Sequence, residues 1–514
     1  YTSGHSFMAP AKIKLDSTDE YLDKLRAAHV EADMGARKKI LEERVANVAA
    51  ELGGRILPDA ELVDINNNLV EYPIPVAGKF DTEFLEVPDE VLINAMREHQ
   101  KYFAVVDRNN NLMPCFIAVN NTAARDLALS ATGHERVIRA RLADAQFFYQ
   151  GDLAVTNDER VEKLKKVVFQ AKLGTVFEKS ERVAKIAEVL AASTQKGDEL
   201  KKQVLRAARL SKSDLVSQVV GEFPKLQGVM GRIYAGIAGE PAEVAAAIEE
   251  HYRPVYSGAP LPETLVGAIL SIADKMDSIC GCFSVGLIPT GASDPYALRR
   301  QGIGIIQIMN AKGLSFPLRE LISCSLEQFG KNNAAESDEL IEKVYAFLQN
   351  RISHLLAEEG FSKDVIAAIV SAAGDDIPNV RSRVSALELL KARPDFEPLA
   401  VGFKRVVNII RKSGQDAEGA ALEAVDMKLF EHESEGALFE EFKAVNQRVS
   451  EALETESFNR ALMEIASLRD AVDRFFDGVM VMAEEPGIRR NRLALLGHIA
   501  ALFGKVADFS KLSA

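Results

Sequence analysis

The sequence predicts a mainly α, multi-domain protein with one small mixed α/β region near the N-terminus. Three observations lead there. At 514 residues the chain is too long for one ordinary core, so about two to four domains are expected. From about residue 130 onward apolar residues recur at helical spacing, as at Ile138, Leu142, Ala145 and Tyr149. Between residues 69 and 120 the pattern changes to short extended runs punctuated by Pro and Asn.

In chain order, residues 16–53 read as helix, with Ser17, Thr18 and Asp19 as caps and Gly53-Gly54 as the stop. Val70–Val76 is extended, because its prolines bar a helix. Pro88–Gln100 opens with Pro and then acids, as a helix does. Tyr102–Asp107 and Leu112–Val119 read as two strands of a hairpin turned by Asn109, Asn110 and Asn111. Beyond 130, helical sequence is broken near Gly151, Gly174, Gly221–Pro224, Pro254–Pro262, Pro289–Pro295 and Gly374–Pro378. The break Ala373–Pro378 is the best boundary between helical blocks. The expected division is 1–60, a helical segment; 61–155, the mixed region; 156–375, a helical domain; and 376–514, a second helical domain.

Composition narrows the class. Hydrophobic residues make up 47% and charged residues 27%, as in globular proteins. No apolar run approaches the roughly 20 residues that span a bilayer, so no membrane role is expected. The chain starts at Tyr1 without Met or a basic-then-apolar leader, which suggests a fragment or processed chain. The four cysteines, Cys115, Cys280, Cys282 and Cys324, are too scattered for a disulfide scaffold and favour a reducing cytoplasm. Cys280-Gly-Cys282 has no matching second pair and reads as buried apolar residues, so no metal is expected. The net charge of −13 argues against a DNA binder, whereas RNA needs only a local basic face.

Two stretches are dense in Gly, Pro and small residues inside helical sequence: Gly221–Ala235, GEFPKLQGVMGRIYA, and Pro289–Arg300, PTGASDPYALRR. Each fixes a tight backbone path. In the second, Ser293 can cap a helix with Asp294 and Pro295 in its first turn, aiming Arg299 and Arg300 outward. His134–Tyr149 carries Arg136, Arg139 and Arg141 beside an apolar stripe, with Glu135–Arg139 and Arg141–Asp144 spaced as ion pairs. Phe403, Val406, Val407 and Ile410 make one buried helical face, while Lys404, Asn408, Arg411 and Lys412 fall opposite, and Arg405 joins that basic set. Near the end, Phe475, Val479 and Met482 read as core, and Arg489, Arg490 and Arg492 begin the next helix, where phosphate contact is plausible. The acidic stretch 413–457 confines RNA contact to one face. Glu249-Glu250-His251-Tyr252 reads as a helix end rather than an acid/base pair. No phosphate loop of the G-x-x-x-x-G-K-[ST] type occurs, and Gly302-Ile303-Gly304 lacks a third glycine and a preceding strand.

Gly221–Ala235, Pro289–Arg300 and His134–Tyr149 together resemble the beta subunit of the bacterial tetrameric glycyl-tRNA synthetases, and the resemblance runs over nearly the whole chain from Gly4. Arg474–Leu496 resembles the helical anticodon-binding domain best known from arginyl-tRNA synthetase. Residues 160–375 are similar to an HD-type domain, with Asp214 and Asp274 where acidic metal ligands fall. No histidine precedes an Asp, and Lys212 stands at the candidate site, so a retained fold without its metal is expected. The resemblance implies an assembly of two alpha and two beta chains. The alpha subunit would bind glycine and ATP, and the beta chain the tRNA for glycine. ATP and Mg would serve the complex, and no cofactor or catalytic residue would lie on this chain, which matches the lack of class I and class II signatures. It further implies that the family's N-terminal region is missing here. The rivals are an HD-type metal-dependent phosphohydrolase and a non-enzymatic RNA-binding scaffold.

Overall fold

The computed structural model describes residues 1–330, 334–394, 396–412 and 424–513. The side chains of Arg411 and Lys412 fall outside the described set. The chain divides into two compact units. One is Tyr1–Val167 with Leu210–Glu249, the other Val168–Arg209 with Glu250–Ala514. The unit boundaries thus cut across the 156–375 block and leave residues 376–513 in the second unit. No helix among the described residues is long and apolar enough to cross a membrane.

The first unit is built on a four-stranded antiparallel sheet, in the order Arg55–Ile56, Phe103–Val106, Leu112–Asn120, Ile74–Lys79. The expected hairpin is present: Asn111 O accepts from Asp107 N–H, and Asn110 sits at φ 67°. Helices cover both faces, so alternate residues of one strand enter different cores. Phe103, Val105, Cys115 and Ile117 pack with Leu41, Val45, Ala49 and Leu62. Ala104, Phe116 and Ala118 pack with Val91, Leu92, Ile138, Leu142 and Ala145. Pro88 caps the helix Asp89–Gln100.

The helix expected over 16–53 is interrupted. It runs as Tyr21–Ala27 and Met34–Glu51, because His29 adopts φ 60° and Asp33 starts a new helix by accepting from Ala36 N–H. The second unit is helical apart from a short hairpin, Val168–Gln170 with Gly174–Thr175. Its long buried helix Leu265–Ser284 packs against Val176–Ser193 and Leu298–Lys312. C-terminal helices Phe396–Lys412, Glu433–Glu454, Phe458–Ser467, Arg469–Gly478 and Pro486–Gly504 end the chain, with Phe403, Phe503 and Phe509 clustered between them.

Candidate nucleic-acid interface

Gly221–Ala235 is a clasp around a buried carboxylate. Asp214 Oδ2 accepts from Gly228 N–H at 2.6 Å and Gly231 N–H at 3.0 Å. Gly228 stands at φ 85°, and a Cβ on Gly231 would sit 2.5 Å from Ile248 Cγ2, so both positions demand glycine. Phe223, Leu226, Met230 and Tyr234 fill the core, and Tyr234 donates to Asp152 Oδ2 at 2.8 Å under the Arg160 guanidinium. Burial pushes the Asp214 carboxyl up to about 6, and its Oδ1 has no hydrogen-bond partner. The other expected acidic position, Asp274, and its neighbour Asp277 also have structural partners. Asp277 meets Lys179 at 3.1 Å and Arg182 at 2.7 Å, and Asp274 lies 3.3 Å from Lys179. Burial of Lys179 would depress its ammonium, but Asp274 and Asp277 outweigh it and hold it above the usual value. Glu250 accepts from Thr264 Oγ1 and the backbone N–H of Glu263, and His251 is fully buried just past its helix. Cys280 and Cys282 are buried as expected, and burial pushes the Cys282 thiol up to about 11.

Of the arginines on Leu127–Leu153, Arg136, Arg139 and Arg141 are all exposed, beside exposed Phe147. The two expected ion pairs do not form among the described residues. Glu135 accepts instead from Lys79 N–H, and Arg139 reaches Asp81 at 3.0 Å, because the sheet and the segment before the next helix offer closer partners.

The helix expected to start at Ser293 begins later, at Leu298. Ser293 pairs with Thr290 in a short turn, and Ala297 takes φ 52°. The Asp294 carboxylate caps across that turn, accepting from the N–H groups of Leu298 at 2.8 Å and Arg299 at 3.0 Å. Arg300 is exposed and donates to Val255 O.

In the C-terminal helices, Phe403, Val406 and Ile410 are buried, with Val407 half-buried. Arg405 and Asn408 are exposed and Lys404 is half-buried, so the amphipathic reading holds for the described part of this stripe. The structure adds what the sequence could not place. Arg405 stacks on Phe476 from the helix Arg469–Gly478, its guanidinium carbon 4.1 Å from the ring centroid. The two helices enclose a groove of about 440 Å³ lined by Glu397, Val401, Gly402, Arg405, Asp473 and Phe476. Phe475 and Val479 are core, but Met482 is 59% exposed, because the helix ends at Gly478 and the following turn carries it outward.

Arg489 is half-buried and Arg490 exposed at the start of Pro486–Gly504. Arg492 differs. Only 6% exposed, it pairs with Glu435 at 2.8 Å and Glu431 at 3.0 Å and donates to Met480 O. It is a packing residue and offers no free charge to phosphate. Burial would raise the Glu435 carboxyl, yet Arg492 and the N–H groups of His432 and Glu431 hold it below the usual range.

Two family models account for most of this chain. The model described as glycyl-tRNA synthetase beta subunit matches residues 1–371. The chain belongs to the glycyl-tRNA synthetase beta-subunit family. The model described as DALR anticodon binding domain matches residues 399–509, which contain Lys404, Arg405, Asn408, Arg489 and Arg490. Among relatives, the glycine–tRNA ligase beta subunit of Desulforapulum autotrophicum is 53% identical over 512 residues, covering 100% of this chain and 74% of that protein. Those of Desulfatibacillum aliphaticivorans and Geotalea daltonii are 52% and 47% identical, covering 100% and 99% of this chain and 74% and 73% of theirs. The beta-subunit family therefore spans both units of the chain, including the clasp around Asp214.

Proposed function

We propose that this chain is the tRNA-binding beta subunit of a glycine–tRNA ligase and serves the ATP-dependent attachment of glycine to its tRNA. One observation carries the reading at the level of residues. Within the segment that matches an anticodon-binding domain, Lys404, Arg405 and Asn408 form a polar face opposite a buried apolar one, beside the Arg405–Phe476 groove. A guanidinium stacked on an aromatic ring presents a flat cationic face, suited to an unstacked base and its phosphate. Arg489 and Arg490 extend the basic set, and Arg136, Arg139 and Arg141 supply a second one on the other unit. An alpha partner would hold glycine, ATP and Mg, and the assembly would have two chains of each kind and work in the cytoplasm. The carboxylates at the HD-like position, tied to backbone N–H groups or lysine and arginine, support a structural role rather than hydrolysis.

The test is glycine charging of the cognate tRNA by purified alpha subunit with and without the beta chain, with tRNA titrations at two salt concentrations alongside. Charging is expected to require the beta chain. Replacing Lys404 and Arg405 by Ala should weaken tRNA binding about tenfold and lower its salt dependence. Full charging by the alpha subunit alone would overturn the assignment.

A further inference from the structure

The helix Leu298–Lys312 crosses Ala334–Glu358 at Gly302. A Cβ there would lie 3.3 Å from Leu348 and Phe347 and 3.4 Å from Arg351 Cγ, so the bare glycine lets the Arg351 stem run across the first helix. Arg299 is one turn before Gly302, on the same face. Arg299 and Arg351, on the two crossing helices, are thereby near enough for the Arg299 charge to act on the Arg351 guanidinium. Arg351 Nε is buried without a hydrogen-bond partner. Among the described residues neither guanidinium has an ion pair or a hydrogen bond; Arg351 touches only the Phe347 ring, 5.6 Å from its centroid. The carboxylate nearby, Asp294, is already bonded to the backbone N–H groups of Leu298 and Arg299. Burial, and then Arg299, push the Arg351 guanidinium below its usual value, with Asp294 opposing.

Two like charges that share one nearby carboxylate differ from arginines such as Arg97, Arg182 and Arg232, each of which meets a carboxylate directly. Asp294 supplies one negative charge for two cations, so the cluster keeps a net positive charge. A tetrahedral anion with two free oxygens suits two planar N–H forks, and a single charge between them relieves the repulsion. We propose that Arg299 and Arg351 bind one phosphodiester group of the tRNA backbone, at a site outside the matched anticodon-binding domain; this rests on the tRNA-binding reading above. Arg300, exposed on the next position, widens the basic approach. Backbone phosphate carries no sequence information, so the site positions tRNA rather than selecting it.

The experiment measures tRNA affinity against salt for the chain, for R299Q, and for the double variant R299Q/R351Q. The double variant should bind about tenfold more weakly at low salt, and its slope of log K against log salt should fall by about 0.7–0.9, one phosphate contact. R299K should keep most of the slope, since it keeps the charge. Removing a repulsive pair should leave the thermal midpoint unchanged or raise it. Should the double variant fail to fold, R299Q alone, altered at the helix surface, still must lower the slope. Unchanged affinity and slope in the folded variants overturn the proposal. A rise in thermal midpoint with inorganic phosphate over equal-strength chloride, lost in R299Q while the tRNA slope is unchanged, identifies a free-phosphate site and overturns the RNA assignment. Absence of tRNA binding by the unaltered chain overturns the broader reading instead, so the two failures are distinct.

Discussion

Arg492 stands in the second turn of the helix Pro486–Gly504, just after Arg489 and Arg490, yet its guanidinium faces inward to Glu435 and Glu431. Its sequence neighbours suggest a basic cluster, and only the fold reveals an acid 57 residues upstream. Arg492→Met should cost about 3–5 kcal/mol in urea denaturation, because it leaves the Glu435 carboxylate buried and unpaired. The salt slope of tRNA binding by the folded protein should not move. Asp214 offers a pH-dependent counterpart. Its carboxyl titrates near 6 in the folded chain and near 4 unfolded, so the folded state holds the proton more tightly. Its contribution to stability is therefore largest below pH 4 and falls as pH rises to about 6, by about 2–3 kcal/mol. Asp214→Asn should gain on the unaltered chain by that amount between pH 4 and 7 in denaturation midpoints. A constant difference across that range would show that the carboxyl is not raised. Arg351, half of the proposed phosphate site, was not singled out from the sequence, which carried only a faint signal for it. Its helical neighbours Phe347, Leu348, His354 and Leu355 include no acid to match it.

At the scale of elements, strands and helices whose periodicity agreed with their capping residues were legible, and those settled by distant partners were not. The hairpin Phe103–Val106 with Leu112–Asn120 follows from extended runs around asparagines. Its burial on both faces depends on helices from both sides of it in sequence, which no local pattern specifies. Gly78 belongs to this level. It faces Phe116 across the strand pair, and a Cβ would lie 2.3 Å from Phe116 Cζ, while that ring stacks on Tyr102 at 4.7 Å. Gly78→Ala should destabilise the chain by about 1–3 kcal/mol through overpacking, measured by thermal or urea unfolding. An unchanged midpoint would mean the ring shifts freely. The helix start near Ser293 was misplaced for a related reason. Ser293, Asp294 and Pro295 are all good helix openers, but Asp294 reaches over the turn to cap Leu298 and Arg299, and the turn between is held by Ala297 at positive φ.

For the whole molecule, sequence alone determined the helical class, the small antiparallel region, the family and the amphipathic faces. These depend on local periodicity, on turn and cap chemistry, and on long idiosyncratic motifs. The same information located Lys404, Arg405 and Asn408 on a solvent-facing stripe, since one helix's own spacing decides that. Tertiary structure alone decided which charges are free. In a chain with 62 basic and 75 acidic residues, most cations can find an anion, and the pairing depends on contacts between residues far apart in sequence. That is why Arg139 pairs with Asp81 rather than Glu135, why Arg492 is buried, and why Arg405 rests on Phe476. It is also why Arg299 and Arg351, 52 positions apart in the sequence, lie at one helix crossing near Gly302 and share the single nearby carboxylate of Asp294.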